Sequence, residues 1–328
     1  MVGTGGDTAS AGGLGGATSG GRGGTANAGG TATAGDAGAD LGGAGGSDSP
    51  NYLCEGEVCD EGLVCYPGLG CTVLCGGSTV FSTTEEVLAF AERGCEVIAG
   101  DLWIGGEELL DLRGLEPGSL RVVGGDLTIA ESSRLQGVEG LETLERIGGS
   151  VSIYDNQSLV SLTGLDGVDS VGPAGTRLEI LRNPRLESVP FLARASALFL
   201  GVSVHENDLL FSLDIGGVAT LGSFNVDQNP SLTSIALPSL EEGGMFQIIR
   251  GAALRSISMP NLKRITNTLT IAEHPLLNSL GDTAGWESIE LLNILRNPSF
   301  PQCEVDALEA RFHSCQWCAQ NDDAAICD

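Results

Sequence analysis

From about residue 100 to residue 303, apolar side chains return at fixed steps while the polar ones between them vary. LEILRNPRLESV (178–189), FNVDQNPSLTSI (224–235) and LTIAEHPLLNSL (269–280) are three copies of one phrase. With a branched aliphatic residue as anchor, nine copies align at Ile104, Ile129, Ile153, Ile180, Val204, Val226, Ile248, Ile271 and Ile294, spaced 22 to 27 residues apart, the period range of solenoids. Two residues before the anchor stand Leu102, Leu127, Val151, Leu178, Val202, Phe224, Phe246, Leu269 and Leu292. Six residues after it stand Leu110, Leu135, Leu159, Leu186, Leu210, Leu232, Leu254, Leu277 and Phe300. At nine residues after it the column is again apolar, apart from Arg113 in the first copy. Strand side chains alternate, so positions −2 and 0 share one face of a short strand; after a turn, +6 and +9 return from another side. One such coil cannot bury its own apolar face, whereas stacked coils can. The pattern therefore predicts a mainly β solenoid of about nine rungs with parallel sheets, roughly 40 Å long at a strand spacing of about 4.8 Å.

Position +3 predicts a corner. It holds Asn156, Asn183, Asn207, Asn229 and Asn297, with His274 in a sixth copy, and Pro184, Pro230, Pro275 and Pro298 follow directly. Asparagine tolerates turn dihedrals and bonds nearby backbone groups, so these residues are expected to be structural. Asn156-Gln157-Ser158 reads as a glycosylation triplet, but its place in this slot predicts a partly buried, unmodified side chain. The glycine pairs Gly124–Gly125, Gly148–Gly149 and Gly216–Gly217 predict bends. TTEEVLAFAERG (83–94) carries the marks of a capping helix: Thr83 as N-cap, Glu86 three residues on, Gly94 as the stop, and Val87, Leu88 and Ala91 on one side. After Pro301 the repeat ends, and Val305, Leu308 and Phe312 predict a closing helix.

Composition adds the ends and the environment. Residues 1–50 contain nineteen glycines and no aromatic residue, too little apolar surface to offset chain entropy, and read as a disordered tether. Residues 51–75 are a small cysteine-rich segment, 76–302 the solenoid with its N-terminal capping helix, and 303–328 a cysteine-rich cap. The ten cysteines cluster at the two ends, where a solenoid needs capping: Cys54, Cys59, Cys65, Cys71, Cys75 and Cys95, then Cys303, Cys315, Cys318 and Cys327. Disulfides in an oxidising compartment account for them, with Cys95 as sixth partner of the first group and the connectivity open. A zinc site using Cys303, Cys315, Cys318 and Cys327 with His313 is the rival reading. MVGTGGDTAS lacks the basic stretch and apolar core of an export signal, so an extracellular or outer-surface location rests on the cysteines. The net charge of −27 argues against nucleic acid and anionic lipid as partners, and no apolar run is long enough to span a membrane.

CEVIAGDLWI (95–104) followed by the GGDLTI and GGSVSI rungs, with NPxLxSL phrases such as Asn229–Ile235, resembles the receptor L-domain family over roughly residues 76–303. The resemblance implies a right-handed β-helix related to leucine-rich repeats, a helical N-terminal cap and no catalytic residues. The whole layout also resembles tethered surface proteins of predatory soil bacteria, which are often lipid-anchored. Signalling activity does not carry over, since the chain has no kinase domain, membrane helix or long furin-like region.

The outward strand columns carry the candidate function. Position +1 is unexpectedly apolar for a solvent face, and with one residue from position −1 it supplies the candidate binding face: Trp103, Tyr154, Leu181, His205, Asp227, Ile249 and Leu295. Ordinary β propensity on a scaffold surface is the competing account of that column. The three histidines belong to no catalytic motif; GxSxG, HExxH and phosphate-loop motifs are absent, so neither enzyme activity nor a cofactor is expected. Asn321-Asp322-Asp323 reads as an acidic tail. The expected function is recognition of a protein or glycan, with a structural spacer as the alternative and a polysaccharide-active enzyme behind it.

Overall fold

The computed structural model describes residues 59–60, 63–66, 69–115, 119–194 and 196–325. The tether, Cys54 and Cys327 lie outside them.

The anchors form one continuous parallel stack. Ile104 pairs in register with Ile129, Ile129 with Ile153, and so on without exception through Val204, Val226, Ile248 and Ile271 to Ile294. The nine rung strands are Leu102–Gly105, Leu127–Ala130, Val151–Tyr154, Ser170–Leu181, Ser196–His205, Thr220–Asp227, Glu242–Ile249, Arg264–Ala272 and Ser288–Leu295. Thr79–Phe81 extends the sheet before the first rung and Cys315–Trp317 after the ninth, giving eleven strands along one parallel path. A second row begins as Leu74–Cys75, Val97–Ile98, Val122–Val123 and Arg146–Ile147, then runs into the longer strand Ser170–Leu181. A third side carries Ser212–Asp214, Ser234–Ala236 and Ser256–Ser258.

The glycine bends are sites of close approach. At Gly148 an added Cβ would sit 2.1 Å from the Gly124 carbonyl oxygen of the rung below, so a side chain would force the rungs apart. The core is one apolar column running through all rungs. Positions −2 and 0 are buried throughout, and Phe224 and Phe246 pack with ring centroids 5.3 Å apart. One assignment changes: in the first rung Leu109 and Leu112 enter the core, while Leu110 is 45% exposed and Arg113 opens a short 3-10 turn. That corner is one residue shorter than the others, which removes the lone charge from the +9 column.

The caps form as helices. Helix α1, Thr84–Glu92, has Thr83 as N-cap, and the Thr83–Glu86 capping box is complete. Its inward face is Val87 and Phe90, with Ala91 packed against the core, so of the expected Val87, Leu88 and Ala91 only Leu88 is displaced, being half exposed; Phe90 packs edge-on against Phe81, ring centroids 5.1 Å apart. Helix α2, Gln302–Phe312, buries Val305 and Leu308 and lays Phe312 against the core. Cys59–Cys71, Cys75–Cys95 and Cys315–Cys318 are disulfides, and Cys65 and Cys303 are disulfide-bonded too. The Cys315–Cys318 bond replaces the zinc reading, since both thiols are consumed.

Candidate functional site

The corner after each rung strand is built in two layers, one buried and one exposed. In the buried layer, Asn156, Asn183, Asn207, Asn229, His274 and Asn297 are all within 1% of full burial. The asparagines form a ladder. Asn183 Nδ2 donates to Ile153 O (2.9 Å) and Asn207 Oδ1 (3.2 Å), and the Asn183 backbone N–H donates to that same Oδ1 (3.1 Å). Asn207 repeats these bonds to Ile180 O and Asn229 Oδ1. Each side chain thereby satisfies backbone groups that the turn has taken out of the sheet. Ser132 occupies the slot below Asn156, its N–H donating to Asn156 Oδ1. Asn156 is wholly rather than partly buried, and its amide nitrogen is engaged by Ile129 O (2.8 Å) and Asn183 Oδ1 (3.0 Å). Asn321 continues the ladder into the C-terminal cap: its Oδ1 accepts from Asn297 N, and its Nδ2 donates to Ile294 O. It is a buried structural residue, not part of a solvated tail.

The asparagines do not adopt the turn's unusual backbone conformation. Position +2 does: Glu131, Asp155, Arg182, Glu206, Gln228, Arg250, Glu273 and Arg296 all have φ between 53° and 65°, with Gly106 (φ 89°) in the first rung. Left-handed backbone costs a non-glycine residue about 1–2 kcal/mol, and the buried ladder beneath supplies the bonds that hold it. The consequence is a surface column of polar side chains, one per rung from the second to the ninth, on a fixed backbone.

In the slot of the seventh rung stands Gly251, and His274 of the eighth rung reaches down to it. Gly251 N donates to His274 Nδ1 (3.1 Å), which leaves Nε2 to donate to Ile248 O (2.8 Å): a neutral imidazole doing an asparagine's work. Burial lowers the His274 pKa below its ordinary value, against the opposing pull of the two carbonyls and Glu273. Below about pH 6.5 the unfolded chain binds a proton there that the folded chain refuses, so acid costs stability until the folded pKa is reached. His274→Asn should retain the fold and remove up to about 1.4 kcal/mol per pH unit of this slope. Urea midpoints from pH 7 to pH 4.5 measure it; an identical slope in the variant would assign the effect to other groups.

Above the ladder in the third to seventh rungs lies a shallow groove of about 580 Å³. One wall is the +2 column, Asp155, Arg182, Glu206, Gln228 and Arg250; the other is the +4 column, Gln157, Pro184, Asp208 and Pro230. Three of the groove's charged residues, Asp155, Arg182 and Arg250, are braced. Arg182 grips Asp155 with two bonds of 2.7 Å, and Arg250 grips Asp227 through Nε–Oδ1 (2.7 Å) and a second contact. The Arg182 guanidinium holds the Asp155 carboxyl below its ordinary pKa. These partly exposed pairs add little stability, but they fix the orientation of both arginines.

Of the candidate binding face, Tyr154, Leu181, His205, Asp227 and Ile249 stack in register on adjacent strands and border the groove. Trp103 lies two rungs below and Leu295 two rungs above this block. Asp227 is 8% exposed and engaged by Arg250, so it serves as a brace beneath the surface. His205 is half buried, which lowers its pKa against the opposing influence of Asp227 and Glu206. The +2 and +4 columns were missed in the sequence because they flank the asparagine that drew attention. The signal available was a run of long polar residues at +2, directly before a fixed Asn.

Compared with known proteins, the chain matches no family model, no curated protein and no solved structure. The fold assignment therefore rests on the register itself: a long parallel β solenoid. Among the described residues no helix is long and apolar enough to cross a membrane.

Proposed function

We propose that the chain is a non-catalytic recognition module, exported to the cell surface or beyond, of the kind the receptor L-domain resemblance implies. The supporting observation is the coincidence, over the same five rungs, of an outward column that carries Tyr154, Leu181 and Ile249 with a groove whose two arginines are braced. Tyr154, Leu181 and Ile249 supply contact area, while Arg182 and Arg250, already fixed by their acid partners, lose little freedom on binding. The disulfides at both ends fit an oxidising compartment.

The test uses labelled full-length chain on intact cells and purified cell-wall fractions. The expected result is retention that falls at least tenfold in a Tyr154→Ala, Ile249→Ala double variant with an unchanged thermal transition. Equal retention of both proteins, or none of either, would favour the spacer reading.

A further inference from the structure

The groove narrows the class of partner. Most of its lining residues are polar in type: only Pro184 and Pro230 are apolar, and none is aromatic, while carbon atoms supply slightly more of the exposed lining than polar atoms do. An extended peptide advances about 3.3 Å per residue and repeats its facing side chains about every 6.6 Å, out of step with rungs about 4.8 Å apart. An extended β-1,4-linked chain of pyranose rings advances by about one ring per rung, given the strand spacing, and presents hydroxyls to each.

The +4 wall adds a second periodicity. From the third to the sixth rung it reads Gln157, Pro184, Asp208, Pro230, so polar and apolar residues alternate rung by rung. In a β-1,4-linked polysaccharide, successive rings are turned over and the same face recurs at every second ring. Prolines two rungs apart then meet the C–H faces of alternate rings, while Gln157 and Asp208 meet the hydroxyls between them. The +2 wall supplies carboxylate, guanidinium and amide groups at the same step, and none of the ion pairs among the described residues occupies Glu206 or Asp208. Acids outnumber bases in the lining, and the whole chain carries −27, so a polyanionic glycan is disfavoured.

We infer that the corner groove of the third to seventh rungs is a row of subsites for a linear β-1,4-linked polysaccharide of neutral or amino sugars, lying along the solenoid axis. The inference rests on the recognition reading and specifies its ligand. Calorimetric titration of the full-length chain with soluble oligomers of β-1,4-linked glucose, N-acetylglucosamine and glucosamine tests it, with oligogalacturonate as the anionic control. Binding to at least one of the first three is expected, tightening with length up to about five rings, one per rung. It should weaken at least tenfold in a Gln157→Ala, Asp208→Ala variant, whose changes are exposed and leave the ladder intact. Binding to none of the three, equal binding of the anionic control, no dependence on length, or no loss in the variant would each overturn it. If cell surfaces are still retained through Tyr154 and Ile249 while no oligomer binds, the polysaccharide assignment falls alone and recognition stands.

Discussion

Asn207→Ala is expected to destabilise the fold by about 3–5 kcal/mol, read as a lower urea midpoint with an unchanged transition slope. The side chain is fully buried. Its amide nitrogen carries two hydrogens and lies within bonding distance of three acceptors, Ile180 O (2.9 Å), His205 O (2.9 Å) and Asn229 Oδ1 (3.1 Å), so one hydrogen is shared. Its Oδ1 accepts from the Asn183 backbone (3.1 Å) and side chain (3.2 Å). Alanine strands groups on both neighbouring rungs where water does not reach, and each buried polar group left unpaired costs about 1–3 kcal/mol. The left-handed backbone at Glu206, one residue earlier, also loses its support. Asn207→Asp keeps the acceptor but loses the donor, so it should fall short of wild type as well. A cost under about 1 kcal/mol for the alanine variant would mean that the turns stand without the ladder.

The register was legible because a stacked coil allows no slack: a one-residue slip would turn each anchor out of the core, so the isoleucines and valines recur without exception. Where the sequence offered two registers, it misled. EELLDLR permits Leu109 with Leu112 or Leu110 with Arg113, and the charge at Arg113 was the sign that the second was wrong. The turn was located but its strain was misplaced by one residue. Asparagine is the familiar left-handed residue, whereas Glu, Arg and Gln announce no such preference; here the tertiary ladder overrides theirs. Asn321 was hidden because a helix, not a turn, separates it from Asn297. The groove was invisible for a related reason: its two walls are split in sequence by the buried asparagine and meet only when rungs stack.

The second large effect concerns the N-terminal cap. Removing the Cys75–Cys95 disulfide with a Cys75→Ala, Cys95→Ala variant should cost about 3 kcal/mol, from the chain freedom regained by a loop of this length. Cys95 is fully buried among the cap residues, and Cys75 pairs with Ile98 in the first coil. The loss should nevertheless be local. In a stack each coil touches only its neighbours, so the free end frays before the middle opens. Amide exchange should therefore quicken in α1, Val97–Ile98 and Leu102–Gly105 while Thr220–Asp227 keeps its protection. Uniform acceleration along the chain would instead show one cooperative unit, in which a cap secures the whole rod. The contrast with Asn207 is the physical point: a mid-stack bond is shared by rungs on both sides, whereas the disulfide guards an end that has a neighbour on one side only.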